Sequence, residues 1–155
     1  MKQEMDNEYQ RTGSFRVNFS KEEIFPLLCP KMEEKWIPGW KCEVLESKSG
    51  YNELKAKFNT QNAFGIELIW NTRIYNKERG IIEFENVAEN VLNFVFLIHI
   101  HQVSNKLCQL TFTHTFTALN NKGNDLIKNY SNENFQLKLD GLAQLMESYL
   151  TKKQL

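Results

Sequence analysis

Neither sign of charge is in excess in this 155-residue chain, in which Lys plus Arg number 19 and Asp plus Glu number 19. Without a net field, binding to nucleic-acid phosphate or an anionic bilayer has no electrostatic drive. Cysteine is scarce. Cys29, Cys42 and Cys108 are odd in number and lack C-x-x-C spacing, which argues against a disulfide framework and a tetrahedral zinc site and suits a reducing cytosol. No stretch reaches the roughly 18 to 20 apolar residues of a membrane span, and the opening "MKQEMDNEYQRT" has no apolar run for a signal segment. G-x-G-x-x-G, G-x-x-x-x-G-K, G-x-S-x-G and H-E-x-x-H are all missing, so nucleotide binding, serine hydrolysis and zinc proteolysis have no motif support. The expectation is a cytoplasmic protein with no membrane span, no nucleic-acid partner, no metal and no cofactor.

What is present reads as one domain over residues 13–155 behind a polar leader, 1–12. In "SFRVNF", Phe15, Val17 and Phe19 share one face, the period-two pattern of a half-buried strand. Ser20 stands three residues before Glu23, a capping box that starts a short helix with Ile24, Leu27 and Leu28 inward. Pro26 and Pro30 then divide this region into two short helices ending near Trp36. From Trp40 onward, strands are predicted at 41–47, 54–60, 64–75, 80–88, 91–103 and 107–118, with short polar connectors that favour an antiparallel meander.

Alternation sets two registers. Phe64, Ile66, Leu68, Trp70 and Ile74 line one face, and a three-residue loop at 77–79 would set Thr72 against Phe84, Ile74 against Ile82 and Arg73 against Glu83. A three-residue loop at Ser104 to Lys106 would set Phe96 against His114 and Ile98 against Phe112, leaving His114 inside and His99 and His101 outside. A two-residue turn would instead gather all three histidines on one face, where a metal site becomes conceivable, but matching of apolar faces favours the first register. After Asn120, Ile127, Tyr130, Phe135, Leu139, Leu142, Met146 and Tyr149 follow helical spacing. One helix of about 26 residues is expected, with Asn124 as N-cap and Gly141 inside it at a close approach or a bend.

The fold class is therefore α+β. A curved antiparallel sheet of about seven strands wraps around a long C-terminal helix, two short helices follow strand 1, and the imperfect fit leaves a void. This layout, with "FPLLCPKMEEKWIPGWKCEV" after the first strand and "THTFTALNNKGN" before the last helix, resembles the START-like superfamily. That group is also called helix-grip or SRPBCC, and it includes the birch-pollen allergen relatives, polyketide cyclases and activators of a heat-shock chaperone ATPase. The resemblance spans about residues 13 to 151 and implies a pocket for apolar ligands without implying one activity.

Candidate pocket residues are Trp36, Trp40, Phe58, Trp70, Phe84, Phe96, His114 and Phe116, with Leu139 and Leu142 from the helix. Trp36 and Trp40 bracket Ile-Pro-Gly, a stiff corner that either roofs the cavity, with indole N–H groups facing a ligand, or plugs the end of the sheet. His114 is the catalytic candidate, as an acid or base, against the alternative of a core histidine bonded to Thr72 or Tyr130. Glu67, Glu83 and Glu85 read as outward, so paired acid and base chemistry lacks a second member. Binding of a small, mostly hydrophobic molecule is the leading expectation. A cyclase- or hydrolase-like enzyme using His114 and a co-chaperone-like interaction module are the alternatives, and a homodimer through edge strands is left open.

Overall fold

Phe15 and Val17 turn into the core from β1 (Glu8–Val17). The computed structural model describes residues 8–61 and 65–154. After β1 come α1 (Lys21–Ile24), two 3-10 turns (Phe25–Leu27 and Met32–Lys35), β2 (Cys42–Glu46), β3 (Lys57–Thr60), β4 (Leu68–Asn76), β5 (Ile81–Ala88), β6 (Leu92–Ser104), β7 (Leu107–Ala118), α2 (Asn121–Asn129) and α3 (Asn132–Lys153). Among the described residues the seven strands form one antiparallel sheet, ordered β1-β7-β6-β5-β4-β3-β2. With α3 packed on it and the short helices after β1, this is the expected α+β helix-grip architecture. No described helix is long and apolar enough to cross a membrane.

Local chemistry accounts for the element ends. Ser20 and Glu23 close the capping box in both directions and start α1, and Ile24, Leu27 and Leu28 are buried behind it. Strand β1 begins at Glu8, inside the segment expected to be a leader, because Glu8–Thr12 pair with Thr117–Thr113 of β7. Strand β3 starts later than expected, because Lys55 takes a left-handed φ of 70°.

The two hairpin registers came out differently. Thr72 faces Phe84 as expected, but an irregularity at Arg73 then sets Ile74 against Glu83 and Tyr75 against Ile82. Ile74 is consequently 40% exposed, and Tyr75 packs edge-on against Phe25 at 5.1 Å. Arg73 still meets Glu83 (3.6 Å) and Glu85 (3.8 Å). Phe64 lies outside the described residues. In the second hairpin Phe96 faces His114 and Ile98 faces Phe112. A tight turn at Asn105–Lys106 joins Ser104 to Leu107, and a bulge at Val103 restores the register that places His114 inside.

The C-terminal helix is two helices. Asn120, not Asn124, caps α2 by accepting from the Gly123 amide (2.8 Å), and Ser131 caps α3 by accepting from the Asn134 amide (3.1 Å). Between them Arg11 donates from β1 to the carbonyls of Tyr130 (2.7 Å) and Ile127 (3.3 Å), satisfying the last turn of α2 with a cation. Helix α3 is fastened to β1 by Gln136, whose amide donates to the Ser14 carbonyl (2.7 Å) and accepts from the Ser14 amide (3.2 Å). Gly13 permits this approach: a Cβ there would lie 2.7 Å from both Gln136 Oε1 and Leu139 Cδ1. Gly141, expected to mark a close approach or bend, faces open space.

Candidate functional site

The corner after α1 is tied down before it contributes to any site. Glu34 accepts from the Cys42 amide (2.8 Å) and pairs with Lys31 (2.9 Å), which donates to the Cys42 carbonyl (3.1 Å). Trp36 donates its indole N–H to the Leu27 carbonyl (3.0 Å) and Trp40 donates to the Pro30 carbonyl (2.8 Å). Both indole N–H groups are thus spent on the corner's own backbone, which sets aside the alternative in which they face a ligand. Trp70 likewise donates to Thr60 Oγ1 (2.9 Å).

Between this corner, the concave sheet and α3 lies a cavity of about 350 Å³. Its wall brings together Trp36, Trp40, Trp70, Phe96, His114, Leu139 and Leu142 of the sequence candidates. Phe58, Phe84 and Phe116 are instead packed in the core at 0 to 1% exposure. Alternation put all three on the correct face, but Trp70 covers Phe84 (5.1 Å) and Phe94 covers Phe116 (4.9 Å). Sequence reasoning missed Phe94, Ile98 and Phe112 from the same strand faces, and Leu28, Ile37, Pro38 and Gly39 from the corner. It also missed Tyr130 and Phe135 at the junction of α2 and α3.

The consequential omissions are Glu33 and Lys138, both in the wall. A signal existed for each. Glu33, Trp36, Ile37 and Trp40 are spaced i, i+3, i+4, i+7, as are Phe135, Lys138, Leu139 and Leu142, so each ionisable group shares a stripe with recognisable lining residues. Burial pushes the Glu33 carboxyl up to about 8, against the opposing pull of Lys138. Lys138 is exposed as a whole residue yet lines the cavity, which places it at the mouth. Desolvation there lowers its pKa, and Glu33 acts in the other direction.

His114 sits among rings: Phe96 meets it edge-on at 4.3 Å, Phe135 and Phe94 lie at 5.0 and 5.1 Å, and Tyr130 stacks at 6.4 Å. Burial, with a smaller contribution from the Lys138 charge, lowers its pKa to about 3. The imidazole is therefore neutral at pH 7, able to accept or donate one hydrogen bond but a weak base. Of its two expected hydroxyl neighbours, Thr72 donates to Asn52 (2.6 Å) and Tyr130 meets it ring to ring. His99 and His101 point outward, their rings 6.5 Å apart. Among the described residues no group of three His, Cys, Asp or Glu side chains could hold a metal ion. All three cysteines are buried, and burial pushes the Cys42 thiol up to about 12, away from nucleophilic reactivity.

No family model matches the chain, and no curated protein matches it. Solved structures do. A norcoclaurine synthase point mutant from Thalictrum flavum, in complex with a transition-state analogue, superposes with a TM-score of 0.71 at 10% identity, covering 96% of this chain and 97% of that one. The Zhui aromatase/cyclase from Streptomyces sp. R1128 gives 0.68 at 14% identity (90% and 94% covered), and Ara h 8.0201 gives 0.65 at 11% (94% and 99%). At these identities the likeness is one of fold alone, a curved antiparallel sheet gripping a long C-terminal helix.

Proposed function

We propose that this protein binds a small, mostly apolar molecule in the cavity between α3 and the concave sheet. The observation that carries the reading is the cavity itself, about 350 Å³ with an aromatic and aliphatic wall interrupted by a few polar groups at the place where helix, sheet and corner fail to close. That is the composition of a ligand site rather than of a packing defect, since apolar walls supply contact area and sparse polar groups fix orientation. The structural neighbours add weight: one norcoclaurine synthase structure, with a TM-score of 0.67, is a complex with dopamine and hydroxybenzaldehyde, two small aromatic molecules.

A cyclase- or hydrolase-like enzyme is the second reading, favoured by Glu33 and Lys138 in the same wall as His114. An imidazole held near 3 is mismatched to acid and base work at neutral pH. We therefore assign His114 a hydrogen-bonding role toward the ligand.

Half-buried Leu142 at the helix edge of the cavity offers a direct test. Leu142→Trp should fill the opening, abolish the thermal shift and fluorescence given by a neutral probe such as N-phenyl-1-naphthylamine, and leave the unliganded melting temperature within a few degrees of wild type. Unchanged probe binding in a folded Leu142→Trp variant would place the probe elsewhere and refute the reading.

A further inference from the structure

We infer that Asn86 sets the ligand specificity of the cavity, selecting an apolar body that carries an amide or lactam edge, whose N–H and C=O pair with the Asn86 carboxamide. The inference rests on the cavity's being a ligand site and specifies what that site takes.

Asn86 is out of keeping with its strand. The inward residues of β5 are Ile82, Phe84, Asn86 and Ala88, all of them buried, and Asn86 is 0% exposed. Among the described residues neither its Oδ1 nor its Nδ2 has a hydrogen-bond partner. Other buried polar side chains of this interior are paired: Thr60 accepts from Trp70 (2.9 Å), Thr72 donates to Asn52 (2.6 Å), and Asn52 donates to the Leu28 carbonyl (3.4 Å). An unsatisfied interior amide costs stability that a leucine of the same shape would not. Such a group calls for a partner from outside the fold.

The sheet ladder sets that amide against the cavity. Asn86 stands between Trp70 of β4 and Phe94 of β6, neighbours whose Cβ atoms lie about 5 Å away on the same face. Both Trp70 and Phe94 belong to the cavity wall, so the carboxamide is one layer behind it. Trp70 is fixed by its bond to Thr60. The Phe94 ring turns without breaking a hydrogen bond, which makes it the side chain that uncovers Asn86.

A carboxamide presents an acceptor and a donor side by side. A hydrocarbon leaves both unmet. A ligand ammonium meets the acceptor alone, and a carboxylate meets the donor while being repelled by Oδ1. A lactam edge, with N–H beside C=O, satisfies both at once, while the attached rings take the contacts of Trp70, Phe96 and Phe112.

The test compares 2-quinolone with N-methyl-2-quinolone, which keeps the rings and carbonyl and loses the N–H, by displacement of N-phenyl-1-naphthylamine at pH 7. Wild type should bind 2-quinolone at least about tenfold more tightly, equivalent to about 1.4 kcal/mol. Asn86→Leu should bring the ratio close to one, retain the N-methyl compound and melt a few degrees higher. In wild type the side-chain amide proton resonances of Asn86 should move downfield on adding 2-quinolone, a readout that does not depend on the variant's folding. Equal affinities in wild type, no displacement by either compound, an undiminished ratio in folded Asn86→Leu, or Asn86 resonances unmoved by bound 2-quinolone would each overturn the assignment and leave the ligand site standing. Failure of N-phenyl-1-naphthylamine itself to bind wild type would overturn the site and this inference together.

Discussion

His114 and Glu33 are held neutral by the same cause, burial, acting on groups of opposite charge type. For His114 the folded pKa of about 3 lies below the ordinary 6.5. Its contribution to stability is therefore complete above about 6.5 and is lost as the pH falls toward 3, at up to about 1.4 kcal/mol per pH unit for one proton. Urea denaturation at pH 7 and pH 4.5 should show this loss in wild type and a smaller one in His114→Phe, and equal slopes would contradict the assignment. Glu33 has the other sign. Its folded pKa of about 8 lies above the ordinary 4.5, so its contribution is complete below 4.5 and is lost as the pH rises through 8. The inward position of His114 was legible because Phe96 and Ile98 had to face apolar partners. Glu33 was not, because a carboxylate beside Trp36 in a stretch broken by Pro30 and Pro38 shows its i, i+3, i+4, i+7 stripe only once the 3-10 turn is known to continue the rotation.

Two helical glycines that look alike in sequence do opposite things in the fold. A Cβ on Gly141 would meet nothing within 4 Å, whereas one on Gly123 would lie 2.1 Å from the Val91 carbonyl oxygen, which already accepts from the Leu119 amide at 2.8 Å. Gly141→Ala should stabilise the protein by about 1 kcal/mol through helix propensity. Gly123→Ala should destabilise it by about 1 to 3 kcal/mol, because α2 must move off the β5–β6 turn. Chemical denaturation of the two variants checks both signs. The break between α2 and α3 escapes a periodicity argument for a related reason: apolar spacing continues through Tyr130, and what ends α2 is Arg11, more than a hundred residues away in sequence. Bulges at Arg73 and Val103 were equally hidden, since alternation fixes a face only until the ladder slips.

For the molecule as a whole, the layers and the void between them follow from one apolar sheet face and one long amphipathic segment, and those were readable. The depth of each residue behind that face was not, which is why Phe58, Phe84 and Phe116 belong to the core while Phe94 and Phe112 reach the cavity. The opening residues matter more than their polarity suggests. Starting the chain at residue 14 would remove the pairs from Glu8 to Gly13, the Arg11 cap and the Gly13 notch under Gln136. Such a truncation should lower the melting temperature by more than about 10 °C, on the scale of about 2 to 4 °C per kcal/mol for a domain of this size; a shift of only a few degrees would mean that α3 docks without β1.

The pairing of Phe15 with Leu110 sets a timetable for the nascent polypeptide. At about 5 to 20 residues added per second, Phe15 is synthesised roughly 5 to 20 s before its pairing partner Leu110. Strand β1 is consequently made well before it can settle into the sheet, and until then its unsatisfied amides are open to whatever else is nearby.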